Sequence, residues 1–209
     1  MPIKPDREYR TITQNFDLGD EENEFRVSGY ASTFDSYVLW TDPETNIDYS
    51  ERISPQAFDG ADMSDVIMQF DHSGRVYART SNDTLQVYTD DHGLAIKADL
   101  STTQPARDFF TEIKTGLLPQ MSFAFTVAQD HYERDTHTRV IDKFKKIYDV
   151  SAVSFPANPN TEINASYRDY FNGVIEAEKA ERLETEQRIK QEIDKAMKLY
   201  EYTKTKGGK

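Results

Sequence analysis

The turn clusters between residues 65 and 100 constrain the fold more than any other feature of this sequence. Three clusters rich in Gly, Ser, Asn and Asp divide the stretch: Ser73-Gly74, Ser81-Asn82-Asp83 and Asp90-Asp91-His92-Gly93. They leave four short runs: residues 65–70, 75–80, 84–89 and 93–100. Such runs are typical of β-strands, because helices in globular proteins usually need at least about ten residues. The stretch is therefore predicted to fold as consecutive short strands.

Further strands are predicted on both sides of this stretch. Residues 24–34 alternate between two faces, and Gly29 within them indicates a bulge or a close backbone approach. Residues 119–129 and 138–155 are predicted to form two longer strands, the second of which is broken near Asp149.

One helix is predicted between the strands, over residues 101–116. Thr102 or Thr103 begins it and Gly116 ends it. Its apolar stripe consists of Phe109, Phe110 and Ile113. Short strands with one or two inserted helices predict a mostly-β, α+β fold, built as a barrel or a sandwich.

The chain is predicted to have three parts. Residues 1–23 form a polar N-terminal arm or outer strand, residues 24–165 a compact domain, and residues 166–209 a charged helix. Within the compact domain, the polar residues 35–50 are predicted to be a long loop. The stretch Pro156–Asn160, with its two prolines, is predicted to end regular structure.

The chain contains no proline after Asn172 and is dense in Glu, Lys and Gln. Apolar residues recur mostly at helical steps of three or four: Val174, Ala177, Ala180, Leu183, Ile189, Ile193, Met197 and Tyr200. Glu186 and Gln187 interrupt this stripe, which disfavours a long coiled coil. Two interpretations stay open, a helix that docks on a partner and a charged helix folded back on its own domain.

The composition excludes several classes of protein. A formal net charge of −12 disfavours a broad phosphate-binding surface, so we expect no nucleic-acid partner. The absence of cysteine excludes disulfides, a thiolate nucleophile and Cys-ligated metals. No apolar run approaches the roughly 18 residues that cross a bilayer, and the N-terminus lacks an apolar signal core. We therefore expect a soluble, unexported protein without a membrane partner.

The segment VIMQFDHSGR, residues 66–75, places a titratable ring where an apolar strand meets a turn. Alternation predicts one shared face for the side chains of Val66, Met68 and Phe70. His72 continues that face if the strand extends by one more pair, and the Ser73-Gly74 turn then leaves its edge open. By itself the segment fits a strand-end histidine, bonded to a nearby carbonyl, better than a catalyst.

The segment MSFAFTV, residues 121–127, predicts a strand with one bulky face and one small face. The bulky face consists of Met121, Phe123, Phe125 and Val127, and the small face of Ser122, Ala124 and Thr126. A serine on a face without bulk can offer its hydroxyl to an approaching group. Most serines in strands, however, only fill a half-buried face.

Asp149 lies in the segment IYDVSAVSF, which is otherwise mostly apolar on both faces. A carboxylate in such a strand costs free energy unless a donor meets it. Its partner is either an imidazole or one of the lysines that precede it: Lys143, Lys145 and Lys146.

Ser122, His72 and Asp149 would together supply a nucleophilic site. A serine hydroxyl becomes a competent nucleophile when an imidazole takes its proton, and an imidazole accepts and returns protons near neutral pH. A carboxylate on the other ring nitrogen fixes the tautomer and stabilises the charged ring. Residue types alone leave other choices open, because three further histidines are present and predicted to be exposed: His92, His131 and His137.

An ordered set of segments between Phe25 and Asn160 resembles the prohead (procapsid) maturation proteases of tailed bacteriophages, serine proteases related in fold to herpesvirus assemblins. The set is VSGYASTFD (27–35), ISPQAF (53–58), VIMQFDHSGRVYART (66–80), GLAIKADL (93–100), ARDFFTEIKTGLLPQMSFAF (106–125) and YDVSAVSFPANPNTEI (148–163). The resemblance implies an assemblin-like β-barrel of about seven strands surrounded by helices, to which this chain adds its long C-terminal helix.

Carried over by position, the resemblance implies that His72 is the catalytic histidine, Ser122 the nucleophile and Asp149 the acidic third member. The family usually has a glutamate just before Val-Ser, and Asp149, which is one methylene shorter, requires strands that lie slightly closer together. Ala124 stands where the family commonly has glycine, which changes how closely a substrate backbone can approach. We expect no cofactor and no metal.

The implied activity is that of a capsid-maturation serine endopeptidase inside the assembling procapsid, in the host cytoplasm. Its implied substrates are the scaffolding region or N-terminal extension of the major capsid protein and the enzyme itself, which leaves room for self-association. The C-terminal helix is then interpreted as a segment that targets the protease to scaffold or capsid protein.

Two other classes of protein fit parts of the sequence. A non-catalytic scaffolding protein with a degenerate protease fold would explain the charged helix and the acidic composition, but not a complete set of Ser122, His72 and Asp149. A metal-dependent hydrolase would need ligands at a recognisable spacing, and the sequence contains no His-Glu-x-x-His or comparable motif.

Overall fold

The computed structural model describes part of the chain: residues 7–12, 16–19, 24–154 and 162–206. The chain divides into two compact units, Met1–Ser166 and Tyr167–Lys209. The predicted end of regular structure at Pro156–Asn160 lies outside the described residues.

The first unit is built mainly from strands. They are β1 (Glu8–Ile12), β2 (Asp17–Leu18), β3 (Arg26–Thr33), β4 (Tyr37–Thr41), β5 (Asp48–Ile53), β6 (Ile67–Phe70), β7 (Ser73–Arg79), β8 (Leu85–Thr89), β9 (Gly93–Asp99), β10 (Gln120–Glu133) and β11 (Thr138–Val153). The α-helices of the described chain are α1 (Gln104–Lys114) and α2 (Glu162–Lys206). The predicted α+β class with mostly strands is confirmed, and so is the long C-terminal helix.

A seven-stranded sheet is organised around the antiparallel pair β10–β11. Its order is β1-β10-β11-β5-β4, and β6 also pairs with β11 and in turn with β7. Both β5 and β6 run parallel to β11: β5 pairs with Thr138–Ile141 and β6 with Asp149–Ala152. The long strand β11 therefore has two short parallel partners, one along each half.

The β10–β11 ladder is bulged beside Asp149. Ala124 pairs with Asp149 and Phe125 with Ile147, so Tyr148 is an extra residue on β11. The predicted break near Asp149 is therefore wrong, because the strand continues and only its register shifts. A bulge re-aims the side chains of its strand, so this one helps to set the direction of Asp149.

The remaining strands form a four-stranded antiparallel sheet in the order β2-β3-β9-β8. The strand predicted over residues 24–34 is confirmed as β3, with Val27, Gly29 and Ala31 buried along one face. The barrel expected from the resemblance is not present, because the described strands form two open sheets. A closed barrel needs hydrogen bonds between its first and last strands, and among the described strands no such pairing closes either sheet.

The loop predicted over residues 35–50 is wrong, because β4 and the start of β5 lie within it. These strands form an antiparallel hairpin in which Tyr37 pairs with Glu51 and Trp40 with Tyr49. The rings of Trp40 and Tyr49 lie 5.3 Å apart, and the Tyr37 hydroxyl donates to Glu51 Oε1 at 2.6 Å. Cross-strand side-chain pairs of this kind stabilise a sheet, and here they outweigh the polar composition of the segment.

Helix α1 begins and ends close to where the sequence predicted. Thr103 is its N-cap and accepts from the Ala106 amide, and Gly116 follows its end with a φ of +77°. The predicted stripe is buried: Phe109, Phe110 and Ile113. These side chains join residues of both sheets in one hydrophobic core, which includes Leu94, Ile96, Phe123, Phe125 and Phe144.

Helix α2 begins at Glu162, four residues before the segment 166–209 that was predicted to be the charged helix, and continues to Lys206. Several apolar side chains of the predicted stripe are exposed, among them Leu183 (55%), Ile193 (53%) and Met197 (58%). Among the residues the structure describes, no helix is long and apolar enough to span a bilayer.

Candidate active site

His72 lies between Ser122 and Asp149, within hydrogen-bonding distance of both. Its Nε2 is 2.6 Å from Ser122 Oγ, and its Nδ1 is 2.5 Å from Asp149 Oδ1. An ionised carboxylate only accepts hydrogen bonds, so Nδ1 donates to Asp149 and Nε2 is left to accept the Ser122 proton. The structure thus brings together the three residues that the sequence singled out.

A two-residue turn between β6 and β7 sets the position of His72. Phe70 pairs with Ser73 across the hairpin, and the turn residues Asp71 and His72 have φ angles of +43° and +54°. Two positive φ angles are typical of the type I′ turns that favour tight hairpins. The predicted turn at Ser73-Gly74 is therefore wrong, because β6 ends at Phe70 and His72 leaves the strand.

Contacts with the end of β11 hold this turn. The Asp71 amide donates to the Ala152 carbonyl at 3.2 Å, and the Asp71 carboxylate accepts from the amide and hydroxyl of Ser154 at 3.0 and 2.9 Å. The amide of His72 donates to Ser151 Oγ at 3.3 Å. Asp71 therefore supports the turn, and Asp149 is the carboxylate that contacts the ring.

Ser122 lies on the small face predicted for β10. It pairs with Ser151, two residues along from the Ala124–Asp149 pair, so these side chains share one face of the hairpin. Ser122 is 1% exposed. Its Oγ is also 2.9 Å from the carbonyl oxygen of Arg10 on β1. A hydroxyl has one proton, so Ser122 donates either to His72 or to this carbonyl.

Asp149 is 1% exposed. Its Oδ1 accepts from the Ser151 hydroxyl at 2.9 Å as well as from the imidazole. Its Oδ2 has no hydrogen bond among the described residues and lies 4.0 Å from Arg7 Nη1. Of the lysines considered as partners, Lys146 lies instead 2.6 Å from Asp62.

Strand β1 lies along β10 and covers this site. The ring of Tyr9 packs edge-on against the ring of His72, with centroids 4.7 Å apart. Thr11 pairs directly with Ser122. Ser122, the nucleophile candidate, is consequently buried on the strand that pairs with β1.

The sequence reasoning did not identify Ser151 or the β1 residues as part of the site. Ser151 could have been found, because residues two apart on a strand share a face and Asp149 was already a candidate. The segment EYRTI indicates a strand with Tyr9 and Thr11 on one face and Arg10 on the other. The segment does not indicate which strand β1 pairs with.

Arg10 points to the opposite face of β1, into a buried ion cluster. Its Nε and Nη2 contact the two carboxylate oxygens of Glu51 at 2.6 and 2.7 Å. Arg139 contacts Glu51 at 3.2 Å and Glu8 at 2.7 Å. Burial opposes the charge of Glu8, but Arg10 and Arg139 outweigh it and lower the pKa of Glu8 from 4.5 to about 2. Burial also opposes the charge of Arg10, yet Glu51 and Glu8 raise its pKa well above the usual value.

The other histidines lie away from Ser122. His92 is in an exposed turn against Tyr30, and His131 is 52% exposed and 2.6 Å from Asp142. His137 is half-buried, where the sequence predicted it to be exposed. The part of the chain that the structure describes holds no group of three His, Asp or Glu side chains placed to bind a metal.

The geometry fits nucleophilic catalysis, since the imidazole contacts a hydroxyl with one nitrogen and a carboxylate with the other. Residues 12–174 match the family model described as caudovirus prohead serine protease. The chain belongs to this family of serine proteases. The family associates it with capsid maturation in the procapsid of tailed bacteriophages. No curated protein and no solved structure matches the chain.

Proposed function

We propose that the protein is a serine endopeptidase that cleaves the scaffolding region or N-terminal extension of the major capsid protein inside the procapsid, and also itself. Ser122 is the nucleophile, His72 the general base and acid, and Asp149 the residue that orients and stabilises the imidazole. The observation that supports this most is the chain of contacts at 2.6 and 2.5 Å, within the residues matched by the family.

The chemistry follows from these contacts. His72 Nε2 takes the hydroxyl proton as Ser122 Oγ attacks a peptide carbonyl, and it then returns the proton to the departing amine. Water hydrolyses the acyl-enzyme by the same route. Asp149 serves in place of the family's usual glutamate, and its shorter side chain lies 2.5 Å from His72 Nδ1.

We divide the chain by role into an N-terminal arm (1–23), a protease domain (24–165) and a C-terminal helix (166–209) that targets the enzyme to scaffold or capsid protein. The exposed apolar side chains of the helix support this role. Replacing Ile193 and Met197 with Glu should reduce co-sedimentation with procapsids, whereas Gln187→Glu with Gln191→Glu adds the same charge and should not. Equal incorporation of both variants would contradict the targeting role.

The test of the protease is co-expression with the major capsid protein, read by gel and mass spectrometry. Wild type should shorten the capsid protein, and Ser122→Ala should leave it intact. Ser81→Ala, which changes an exposed serine, should behave as wild type. If wild type and Ser122→Ala give the same fragments, the chain is not a serine protease of this type.

A further inference from the structure

Strand β1 is paired with the strand that bears the nucleophile, as an extended substrate would be. Its register sets Tyr9 opposite Ala124, Arg10 opposite Phe123 and Thr11 opposite Ser122. Addition of a strand to a sheet edge is a common way for proteins to bind an extended peptide. The residues Glu8–Thr11 precede the span that the family model matches, while the rest of the sheet lies within it.

The carbonyl group of Arg10 is the peptide group that Ser122 contacts. Oγ lies 2.9 Å from its oxygen while remaining 2.6 Å from His72 Nε2. The residue before Arg10, Tyr9, packs on the imidazole. This order places the Arg10 carbonyl oxygen within hydrogen-bonding distance of the proposed nucleophile, and the Tyr9 ring edge-on against the proposed base.

The side chain of Arg10 fills a pocket that fits a cation. Glu51 is fully buried and contacts Arg10 with both oxygens, and Tyr37 donates to the same carboxylate. Without β1, the described residues of the pocket are the carboxylates of Glu51 and Asp130 and the guanidinium of Arg139. An uncompensated buried carboxylate is costly, and a planar guanidinium satisfies it with two hydrogen bonds. The pocket therefore favours arginine over an apolar side chain.

We propose that β1 occupies the substrate strand position, and that the enzyme cleaves extended segments after a basic residue held by Glu51. In this chain the bond cleaved is Arg10–Thr11. The inference rests on the proposed serine endopeptidase and specifies its substrate class.

The proposed cleavage of the Arg10–Thr11 bond requires no reactant other than water. Ser122 Oγ bonds to the Arg10 carbonyl carbon as His72 takes the hydroxyl proton, the Arg10–Thr11 bond breaks, and His72 gives the proton to the Thr11 amine. Water then releases Arg10 as a carboxylate, again through His72. Departure of residues 1–10 removes Tyr9 from His72 and the Arg10 side chain from Glu51, so the basic residue of another substrate can take its place.

Intact mass and N-terminal sequencing of the full chain test the proposal. Wild type should yield a chain that begins at Thr11, and Ser122→Ala should not. Arg10→Lys should cleave at this bond roughly ten-fold more slowly, because a lysine makes no paired contact, and Arg10→Leu at least roughly a hundred-fold more slowly. Arg26→Leu makes the same change at an exposed arginine of the other sheet and should cleave at the wild-type rate.

Mapping the cuts in the co-expressed capsid protein keeps the proposal testable if Arg10→Leu does not fold. Ser122-dependent cuts should follow Arg or Lys. The proposal is overturned if those cuts follow apolar or acidic residues, if the Arg10–Thr11 bond stays intact in an active enzyme, or if Arg10→Leu is cut there as fast as wild type. Each of these results would leave the serine endopeptidase standing, whereas a complete lack of Ser122-dependent cutting would remove both.

Discussion

The β10–β11 hairpin contributes to two histidine–carboxylate pairs that have nearly the same distance and very different surroundings. His72 Nδ1 is 2.5 Å from Asp149, and His131 Nδ1 is 2.6 Å from Asp142. The side chains of the first pair are 11% and 1% exposed, and those of the second are 52% and 27% exposed. A short contact therefore does not by itself distinguish a candidate site.

The surroundings of the two pairs make the difference. The second nitrogen of His72 contacts a serine, whereas that of His131 lies 3.9 Å from a second carboxylate, that of Glu133. Water screens the exposed pair, so its contribution is small, while a buried pair keeps its geometry and its electrostatic strength. Site identification here depends on burial and on the third partner.

Replacing each of the two histidines should give the largest difference in cleavage rate. His72→Ala should lower kcat/KM for capsid-protein cleavage by roughly a million-fold, because the general base is lost. His131→Ala should leave the rate unchanged. Quantitative gels or peptide hydrolysis measure both, and a comparable loss in the two variants would mean that His72 is not the base.

Replacing the two carboxylates should give a smaller difference in cleavage rate than replacing the two histidines. Asp149→Asn should cost roughly 10⁴-fold in kcat, because the amide can donate to the ring and favour the wrong tautomer. Asp142→Asn should have no effect on the same assay. Full activity of Asp149→Asn would indicate a Ser-His dyad, or another residue that orients the ring.

Replacing Ser151, which contacts both members of the buried His72–Asp149 pair, should lower the cleavage rate less. Ser151→Ala removes a donor to Asp149 and an acceptor for the His72 amide, so kcat should fall by roughly ten-fold with little change in KM. A change in KM alone would assign Ser151 to substrate binding. Ser64→Ala, at an exposed serine bonded to Asp62, is the matched control.

The same contrast between buried and exposed charge applies to stability. The pKa of Glu8 is about 2 in the folded protein, below its ordinary 4.5, so its stabilisation is complete above about pH 4.5 and is lost as the pH falls towards 2. Urea unfolding in the Ser122→Ala background should show roughly 3 kcal/mol of pH-dependent stability that Glu8→Gln removes. The exposed Asp62, whose pKa is lowered by Lys146, should contribute far less when changed to Asn. Equal losses would contradict the role assigned to burial.

Local sequence patterns correctly predicted the structural features that depend on the residues of a single segment. The caps Thr103 and Gly116 bound α1, and alternation identified β3 and the two faces of β10. The sequence also named His72, Ser122 and Asp149, which the structure brings within hydrogen-bonding distance; their catalytic roles remain a proposal. The prediction of a loop over residues 35–50 was wrong because side-chain pairs between strands stabilise β4 and β5. Such pairs cannot be recognised in the sequence of one segment.

The sequence by itself determined the α+β class, the family and the residue types at the candidate site. Only the tertiary structure decided that β6 runs parallel to β11, that the Asp71-His72 turn aims the imidazole, and that β1 covers Ser122. The physical reason is that the alternation of apolar residues indicates which face of a strand is apolar, but not which strands lie beside it. Hydrogen bonds between distant strands determine those neighbours, and here they bring the Arg10 carbonyl oxygen to Ser122.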